Sequence, residues 1–126
     1  MKKKILLIED NEQNIYLMKF LLEKNGFYVD VSTNGNDGIK KAIEIKPFII
    51  LLDIQLPDID GYSVARELRE QKALSEIPII AVTSYALAGD REKAIGAGCT
   101  GYIEKPINPD TFIDDIKKYF NDLDVD

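Results

Sequence analysis

Three carboxylates, a hydroxyl group and an ammonium group each stand at the end of a short apolar run in this sequence. They belong to Glu9, Asp10, Asp53, Thr83 and Lys105. If the runs form neighbouring parallel strands, these side chains meet at one edge of the sheet. Crowded acids either hold a proton at a raised pKa or bind a cation. Because the chain has no histidine and one cysteine, an oxygen-only site favours Mg²⁺, with Mn²⁺ as a substitute.

The same groups suit phosphoryl transfer. A carboxylate beside Mg²⁺ can attack phosphorus in line while the cation, the hydroxyl and the ammonium neutralise the phosphoryl oxygens, which gives an aspartyl phosphate. Asp53 is the best candidate for the nucleophile because it ends the most apolar run and is therefore held most rigidly. Glu9 and Asp10 are candidates for binding the metal. Gln55 could offer its backbone carbonyl to the same ion.

Taken singly, each residue has a simpler explanation. Asp10 or Asn11 could be the N-cap of a first helix. Thr83 could cap a loop through its hydroxyl, and Lys105 could be a solvated surface charge. Only the combination of these groups favours a phosphate site.

Two other motifs are weaker. The segment "GAGCTG", residues 96–101, has the glycine spacing of a dinucleotide-binding loop, but it follows a predicted helix and leads into a strand, the reverse of that motif. A helix stop at Gly98 explains it. Asp58 and Asp60 lie in the turn-rich segment "PDIDG", so we expect both to be solvated rather than part of the metal site.

Five short β-type runs alternate with helical patterns and predict an α/β fold. The predicted strands are "KILLI" (4–8), "FYVDV" (27–31), "FIILLD" (48–53), "IPIIAVT" (77–83) and "GYIEK" (101–105). The first, third and fourth are apolar on both faces, as in a parallel sheet covered by helices on each side, whereas "FYVDV" suits an edge.

Between the strands, apolar residues recur at helical spacing and predict five helices. These residues are Ile15, Met18 and Leu22; Ile39, Ala42 and Ile43; Ala65 and Leu68; and Phe112, Ile113, Ile116, Tyr119 and Phe120. The fourth helix, within "GDREKAIGAGC", has three glycines and little apolar surface, so we expect it to be the most mobile.

Composition excludes several classes of function. The 126 residues fit one domain, and a net charge of −6 argues against nucleic-acid binding. No apolar run approaches the roughly 20 residues of a membrane span, and the acids after "MKKKILLI" argue against a signal peptide, so a cytoplasmic location is favoured. The absence of histidine removes Ser-His-Asp chemistry, and the single Cys99 is expected to be a buried small residue.

The segments "IEDN", "LLDIQLPDIDG", "IIAVTSYA" and "GYIEKPIN" resemble the signature segments of the receiver domain of two-component response regulators, and the resemblance runs from Lys3 to about Phe120. It implies a flavodoxin-like, doubly wound five-stranded parallel sheet in the order 2-1-3-4-5 with five helices. It also implies a role for each candidate residue: Asp53 as phosphoacceptor, Glu9, Asp10, Asp53 and the Gln55 carbonyl as metal ligands, Thr83 and Lys105 as phosphoryl contacts, Thr83 and Tyr102 as switch residues, and a cis peptide bond between Lys105 and Pro106.

The implied function is a phosphoacceptor switch. A histidine kinase or histidine phosphotransfer protein donates to Asp53, and a downstream protein reads the change through the face formed by the fourth helix, fifth strand and fifth helix. Such a protein is not an enzyme beyond catalysing its own phosphorylation and dephosphorylation. We expect one receiver domain over residues 1–126, with a core of about 3–120 and an acidic tail at 121–126, free-standing and without an output domain. A receiver excised from a hybrid kinase and a phosphorelay intermediate remain alternatives. Phosphorylation-dependent dimerisation is left open.

The sequence departs from the family near the phosphate site, and two alternatives remain. Ser84 stands where alanine is usual in the family. Gln55 and Tyr85 occupy positions whose side chains, in the family, can reach the water that hydrolyses the aspartyl phosphate. The sequence therefore does not determine the lifetime of the phosphoryl group. A Mg²⁺-dependent aspartyl-phosphate phosphatase is the main alternative, although such enzymes commonly have an acid where this chain has Gln55. A flavodoxin-like cofactor binder would need a phosphate loop where "EDNEQN" is acidic.

Overall fold

The computed structural model describes residues 3–84, 87 and 89–120. Strands and helices alternate along the chain, as the sequence predicts. In chain order the elements are β1 (Lys4–Ile8), α1 (Glu12–Lys24), β2 (Tyr28–Ser32), α2 (Gly35–Ile45), β3 (Ile49–Asp53), α3 (Gly61–Glu70), a 3₁₀ turn (Lys72–Leu74), β4 (Ile79–Thr83), α4 (Asp90–Gly96), β5 (Gly101–Glu104) and α5 (Phe112–Lys117).

The strands form one sheet in the order β2-β1-β3-β4-β5, with every neighbouring pair parallel. The predicted fold class and strand order are therefore confirmed. Ile8 is in register with Leu52, and Asp53 with Val82, so the carboxyl ends of these strands lie at one edge. The strand order reverses between β1 and β3: β2 is added on one side of β1, and β3, β4 and β5 on the other. Ligand-binding crevices form at such a point in parallel sheets.

Helices cover both faces of the sheet. Because side chains alternate between the two faces along each strand, each face packs on its own set of helices. One face packs on α2, α3 and α4 through buried residues that include Leu6, Ile8, Ile50, Leu52, Ala81, Ala42, Val64, Leu68 and Ala94. The other packs on α1 and α5 through Ile5, Leu7, Ile49, Leu51, Val82, Met18, Leu22, Phe112 and Ile116. The strands β1, β3 and β4 are buried along almost their whole length, as predicted for an internal parallel sheet.

A few expectations from the helical pattern differ in detail. Ile43 was placed on the apolar face of α2, but its side chain is 43% exposed, because the buried residues of α2 are Gly35, Gly38 and Ala42. Gly38 allows α2 to approach the sheet closely, since a Cβ there would lie 2.6 Å from the Ile8 side chain. Cys99 is buried, as expected. The expected tail at 121–126 lies outside the described residues.

Arg69 fastens the end of the molecule opposite the carboxyl ends of the strands. Its Nε donates to the Gly98 carbonyl at 2.8 Å, Nη1 donates to the carbonyls of Leu74 at 3.0 Å and Ile77 at 2.7 Å, and Nη2 donates to Thr100 Oγ1 at 3.1 Å. Three backbone carbonyls and one hydroxyl group therefore accept from this guanidinium. The contacts join α3 to the segments that lead into β4 and β5.

Candidate functional site

Glu9, Asp53 and Lys105 form a buried charged cluster at the carboxyl end of the sheet. Glu9 is 0% exposed and Asp53 is 2% exposed. The Lys105 Nζ lies 2.9 Å from Glu9 Oε1 and 3.4 Å from Asp53 Oδ1. Since β1 and β3 are neighbours, the two acids stand side by side, and the lysine reaches them from beyond β5. One ammonium group thus neutralises part of the charge of two carboxylates.

Asp10 completes an all-oxygen group that could hold a metal ion. Ligand oxygens of Glu9, Asp10 and Asp53 all lie within 4.8 Å of one another, and Asp10 is exposed to solvent. Asn11, not Asp10, is the N-cap of α1: its side chain accepts from the backbone N–H of Asn14. The Asp10 carboxylate is therefore not used as the cap. A group of three carboxylates that is open to solvent on the Asp10 side fits Mg²⁺, because this hard cation binds oxygen ligands and retains several waters.

The backbone after Asp53 turns sharply around its carboxylate. The Gln55 N–H donates to Asp53 Oδ1 at 3.0 Å, which fixes one oxygen of the side chain. Gly61, at the start of α3, lies against this turn: a Cβ there would be 2.5 Å from Ile54 Cα and 2.7 Å from the Asp53 carbonyl oxygen. The loop between β3 and α3 therefore folds back tightly on the strand end, with Gln55 at the rim.

The Asp53 carboxyl group has an unusual acidity. Burial raises its pKa from 3.8 to about 7, the negative charge of Glu9 adds to the rise, and the Gln55 N–H and the charge of Lys105 oppose it. The protein thus holds this carboxylate in a position where ionisation is unfavourable unless a cation is supplied. Perturbed acids of this kind are typical of functional sites.

Thr83 and Lys105 are brought together by strand pairing. Thr83 is fully buried at the end of β4, and its carbonyl accepts the backbone N–H of Lys105 at 2.9 Å. β5 ends at Glu104, one residue before the predicted end, so Lys105 is free of the ladder beyond this bond. The Lys105–Pro106 peptide bond is cis, as the family resemblance implied.

Tyr102 lies on β5, two strands from Asp53 on β3. It is in register with Ala81 of β4 and packs partly buried against the core on the α4 side. Its hydroxyl is buried and has no hydrogen-bond partner among the described residues. Partial burial and the nearby charge of Asp90 raise the pKa of Tyr102. Tyr85, named above with Gln55 and Ser84, lies outside the described residues.

Asp58 and Asp60 are exposed, as expected, but each also has a structural contact that the sequence analysis did not assign. Asp60 is the N-cap of α3 and accepts from Ser63 N and Oγ. Asp58 accepts from the backbone N–H groups of Gly35 at 2.7 Å and Asn36 at 2.9 Å, in the first turn of α2. The unpaired N–H groups at the start of a helix attract a carboxylate. Sequence patterns could suggest the cap at Asp60, whose partner is three residues away, but not the contact of Asp58 across 22 residues.

An exposed aromatic patch on α1 was also missed. Tyr16 and Phe20 on α1 are 65% and 53% exposed, and their rings lie 6.5 Å apart. Their spacing of four residues on a helix, outside the stripe of Ile15, Met18 and Leu22, was the available signal.

Comparison with known proteins identifies the family. The model of the response regulator receiver domain matches residues 5–117. The chain belongs to this receiver-domain family. A DivK polar-differentiation response regulator of Brucella anthropi is 41% identical over 122 residues, which cover 97% of this chain and 99% of that protein. Receiver domains act in two-component signalling as phosphoacceptor switches, so the coarse functional class expected from the sequence is confirmed.

Solved receiver structures agree with this fold. The receiver domain of the sensor histidine kinase PA1611 from Pseudomonas aeruginosa, solved with a magnesium ion coordinated in its active-site cleft, is 34% identical, with a TM-score of 0.86 over 94% of this chain and 98% of that one. CheY4 of Vibrio cholerae is 22% identical with a TM-score of 0.91, over 95% and 100% of the two chains, which shows a shared fold. No helix among the described residues is long and apolar enough to cross a bilayer.

Proposed function

We propose that Asp53 is the phosphoacceptor of this receiver domain. The observation that carries the proposal is the buried Asp53 carboxylate with Lys105 Nζ at 3.4 Å and the oxygens of two further acids within 4.8 Å. Burying a carboxyl group here lowers the stability of the fold when the group is ionised. A reaction that uses Asp53 explains why the chain has an acid at this position. The donor is a histidine kinase or a histidine phosphotransfer protein.

In the reaction, an Asp53 carboxylate oxygen forms a bond to phosphorus while the bond from phosphorus to the donor's histidine nitrogen breaks. Glu9, Asp10, Asp53 and the Gln55 carbonyl would hold Mg²⁺, which offsets charge on the phosphoryl oxygens when bound. Lys105, now between Glu9 and Asp53, can transfer its contact to a phosphoryl oxygen. The Thr83 hydroxyl, on the neighbouring strand end, can donate to another.

The ionised form of Asp53 is the nucleophile. With a pKa of about 7, much of this group carries a proton at neutral pH in the metal-free protein, and a bound cation favours the ionised form. Mg²⁺ binding therefore releases a proton from the site. This couples readiness for phosphorylation to metal occupancy.

Phosphorylation is converted into a signal through Thr83, Tyr102 and α4. A phosphoryl group draws the Thr83 hydroxyl toward it, and Tyr102 can take up the space this creates. The seven-residue α4 has Ala94 as its buried residue, so few contacts oppose a change in its packing. The downstream protein binds the face of α4, β5 and α5, where Arg91, Tyr102, Glu104 and Tyr119 line a groove of ≈ 440 Å³.

The donor protein approaches over α1. Its histidine must come within bonding distance of Asp53, so the donor has to cover the rim beside Asp10. Tyr16 and Phe20 lie on α1, which begins at Glu12, two residues after Asp10, and Glu12, Gln13 and Leu17 complete their surface. An exposed aromatic pair of this kind supplies the apolar centre of a protein contact. Tyr16→Ala combined with Phe20→Ala should slow transfer from the donor more than phosphorylation by acetyl phosphate, which needs no docking; equal effects on both would contradict this assignment.

We propose that residues 1–126 form one receiver domain, with a core of about 3–120, and that this domain acts in the cytoplasm. Size measurement with and without a phosphoryl mimic such as beryllofluoride tests whether phosphorylation produces a dimer. A partner that binds both forms with equal affinity would contradict the switch.

The decisive experiment is phosphotransfer from a panel of ³²P-labelled histidine kinases. We expect label on the wild-type chain with Mg²⁺, and none with EDTA or with Asp53→Asn. Equal labelling of Asp53→Asn would refute the assignment. Sustained turnover of a generic phosphoester, abolished by Asp53→Asn, would favour the phosphatase alternative instead.

A further inference from the structure

Asp58 joins the loop that leaves the phosphoacceptor to the first turn of α2. Its two carboxylate oxygens accept separately, Oδ1 from Gly35 N at 2.7 Å and Oδ2 from Asn36 N at 2.9 Å. These contacts link residues that are 22 and 23 positions apart. Hydrogen bonds to a charged acceptor are stronger than neutral ones and are favoured at a helix N-terminus.

Close packing at Gly35 supports the same connection. A Cβ on Gly35 would lie 2.5 Å from Ile59 Cγ1, in the loop, and 2.8 Å from Val64 Cγ2 on α3. The backbone of α2 therefore lies directly against the residue that follows Asp58. The polar contact and the apolar contact hold the same two segments together.

The first turns of α2 are in turn fixed to β1, the strand that immediately precedes Glu9. Gly38 lies against Ile8, where a Cβ would be 2.6 Å from Cδ1. Asn34 caps the helix by accepting from Asp37 N at 2.8 Å. A continuous path of contacts thus runs from the end of β1, through α2, to Asp58 and back along its loop to Gln55.

We propose that Asp58 is a positioning residue for the metal site: by fastening its loop to α2, it holds the Gln55 carbonyl at a fixed separation from Glu9 and Asp10. This inference rests on the proposed function, since it assumes that these groups bind Mg²⁺. Asp58 does not contact the metal. By restraining the loop before the ion binds, Asp58 lowers the conformational entropy that Mg²⁺ binding would otherwise cost. Residues that orient metal ligands act in this way.

Coupling of this kind is reciprocal. If the contact of Asp58 with α2 strengthens Mg²⁺ binding, bound Mg²⁺ must strengthen that contact. Mg²⁺ should therefore slow amide hydrogen exchange at Gly35 and Asn36 in the wild-type protein, although neither residue is a ligand.

The test compares two variants that weaken the same helix end. Asp58→Ala frees the loop, whereas Asn34→Ala removes a cap from α2 and leaves the loop contact in place. Calorimetric titration of the full chain with MgCl₂ should give a dissociation constant raised about tenfold in Asp58→Ala and close to the wild-type value in Asn34→Ala. If Asp58→Ala is too unstable to titrate, Asp58→Asn, which retains one acceptor oxygen, should show a smaller rise.

Each outcome separates the inference from the proposed function. Equal Mg²⁺ affinities in wild type and Asp58→Ala, or equal losses in both variants, would overturn the positioning role while leaving the phosphoacceptor assignment intact. Unchanged amide exchange at Gly35 and Asn36 on Mg²⁺ binding would also overturn it. If the wild-type chain itself bound no Mg²⁺, the metal site of the proposed function would fall first, and the inference with it.

Discussion

Replacing Asp53 by asparagine should make the metal-free protein more stable, by an amount that depends on pH. The Asp53 pKa is about 7 in the folded protein against an ordinary value of 3.8. Between those values the folded state binds this proton more tightly than the unfolded state does. The contribution of the group is therefore fully present below about pH 4 and is lost as the pH rises to about 7.

The size of the effect follows from the shift. A difference of about 3 pH units, at 1.36 kcal/mol each, gives a loss of up to about 4 kcal/mol between pH 4 and pH 8. Asp53→Asn removes the ionisable group and retains its shape. At pH 8 in EDTA the variant should exceed the wild type in free energy of unfolding by up to about 4 kcal/mol, and near pH 4 the two should be similar.

Urea unfolding at several pH values in EDTA measures this difference. Subtracting the Asp53→Asn curve from the wild-type curve removes the contributions of the other titrating groups. Asp114→Asn, an exposed acid on α5, serves as a control for the loss of one negative charge. Saturating Mg²⁺ should stabilise the wild type but have little effect on Asp53→Asn. A difference that stays constant from pH 4 to pH 8 would refute the raised pKa.

Three further predictions concern the residues around this site and the opposite end of the sheet. Lys105→Met should leave Glu9 and Asp53 without their common cation and lower stability in EDTA by about 3 kcal/mol at pH 8. In the Asp53→Asn background the loss should be smaller but not absent, because Lys105 also pairs with the buried Glu9; an equal loss in both backgrounds would show that the contact with Asp53 contributes nothing. Gly61→Ala should lower the free energy of unfolding by about 1–3 kcal/mol, because its Cβ would lie 2.5 Å from the Ile54 backbone. Gly96→Ala, where a Cβ meets nothing within 4 Å, is the control and should raise the free energy of unfolding in urea by no more than about 1 kcal/mol. Arg69→Lys should lower the free energy of unfolding by about 2–4 kcal/mol, because lysine cannot reach the carbonyls of Gly98 and Ile77 together. Asp53 should still accept phosphate at a normal rate in the folded variant. A melting curve like that of the wild type would contradict the predicted loss of stability.

Much of the fold follows from local patterns. The fully apolar runs around Leu51 and Val82 predict buried parallel strands, and the more polar "FYVDV" predicts an edge. Helical spacing of Met18 with Leu22, and of Phe112 with Ile116, identifies the faces that pack on the sheet. These patterns are readable because burial on a strand or helix repeats with the period of that element. These patterns also have limits: helical spacing alone placed Ile43 in the core, although α2 packs through Ala42, Gly35 and Gly38.

The candidate site was readable for a second reason. Parallel strands bring their carboxyl ends to one edge whatever the lengths of the intervening helices, so Asp10, Asp53 and Thr83 could be placed together from the positions of the strands alone. The roles of these residues as phosphoacceptor, metal ligand and phosphoryl contact remain proposals that the experiments above test.

The amino-acid sequence by itself determined the alternation of strands and helices, the family, and the set of polar residues at the strand ends. Only the tertiary structure decided how those residues are held: which acids Lys105 contacts, how far burial raises the pKa of Asp53, and that Asp58 and Arg69 bind backbone groups of distant segments. The physical reason is that backbone N–H and carbonyl groups are the same in every residue. A side chain that pairs with them across the fold leaves no complementary residue type in the sequence, so its partner appears only when the chain is folded.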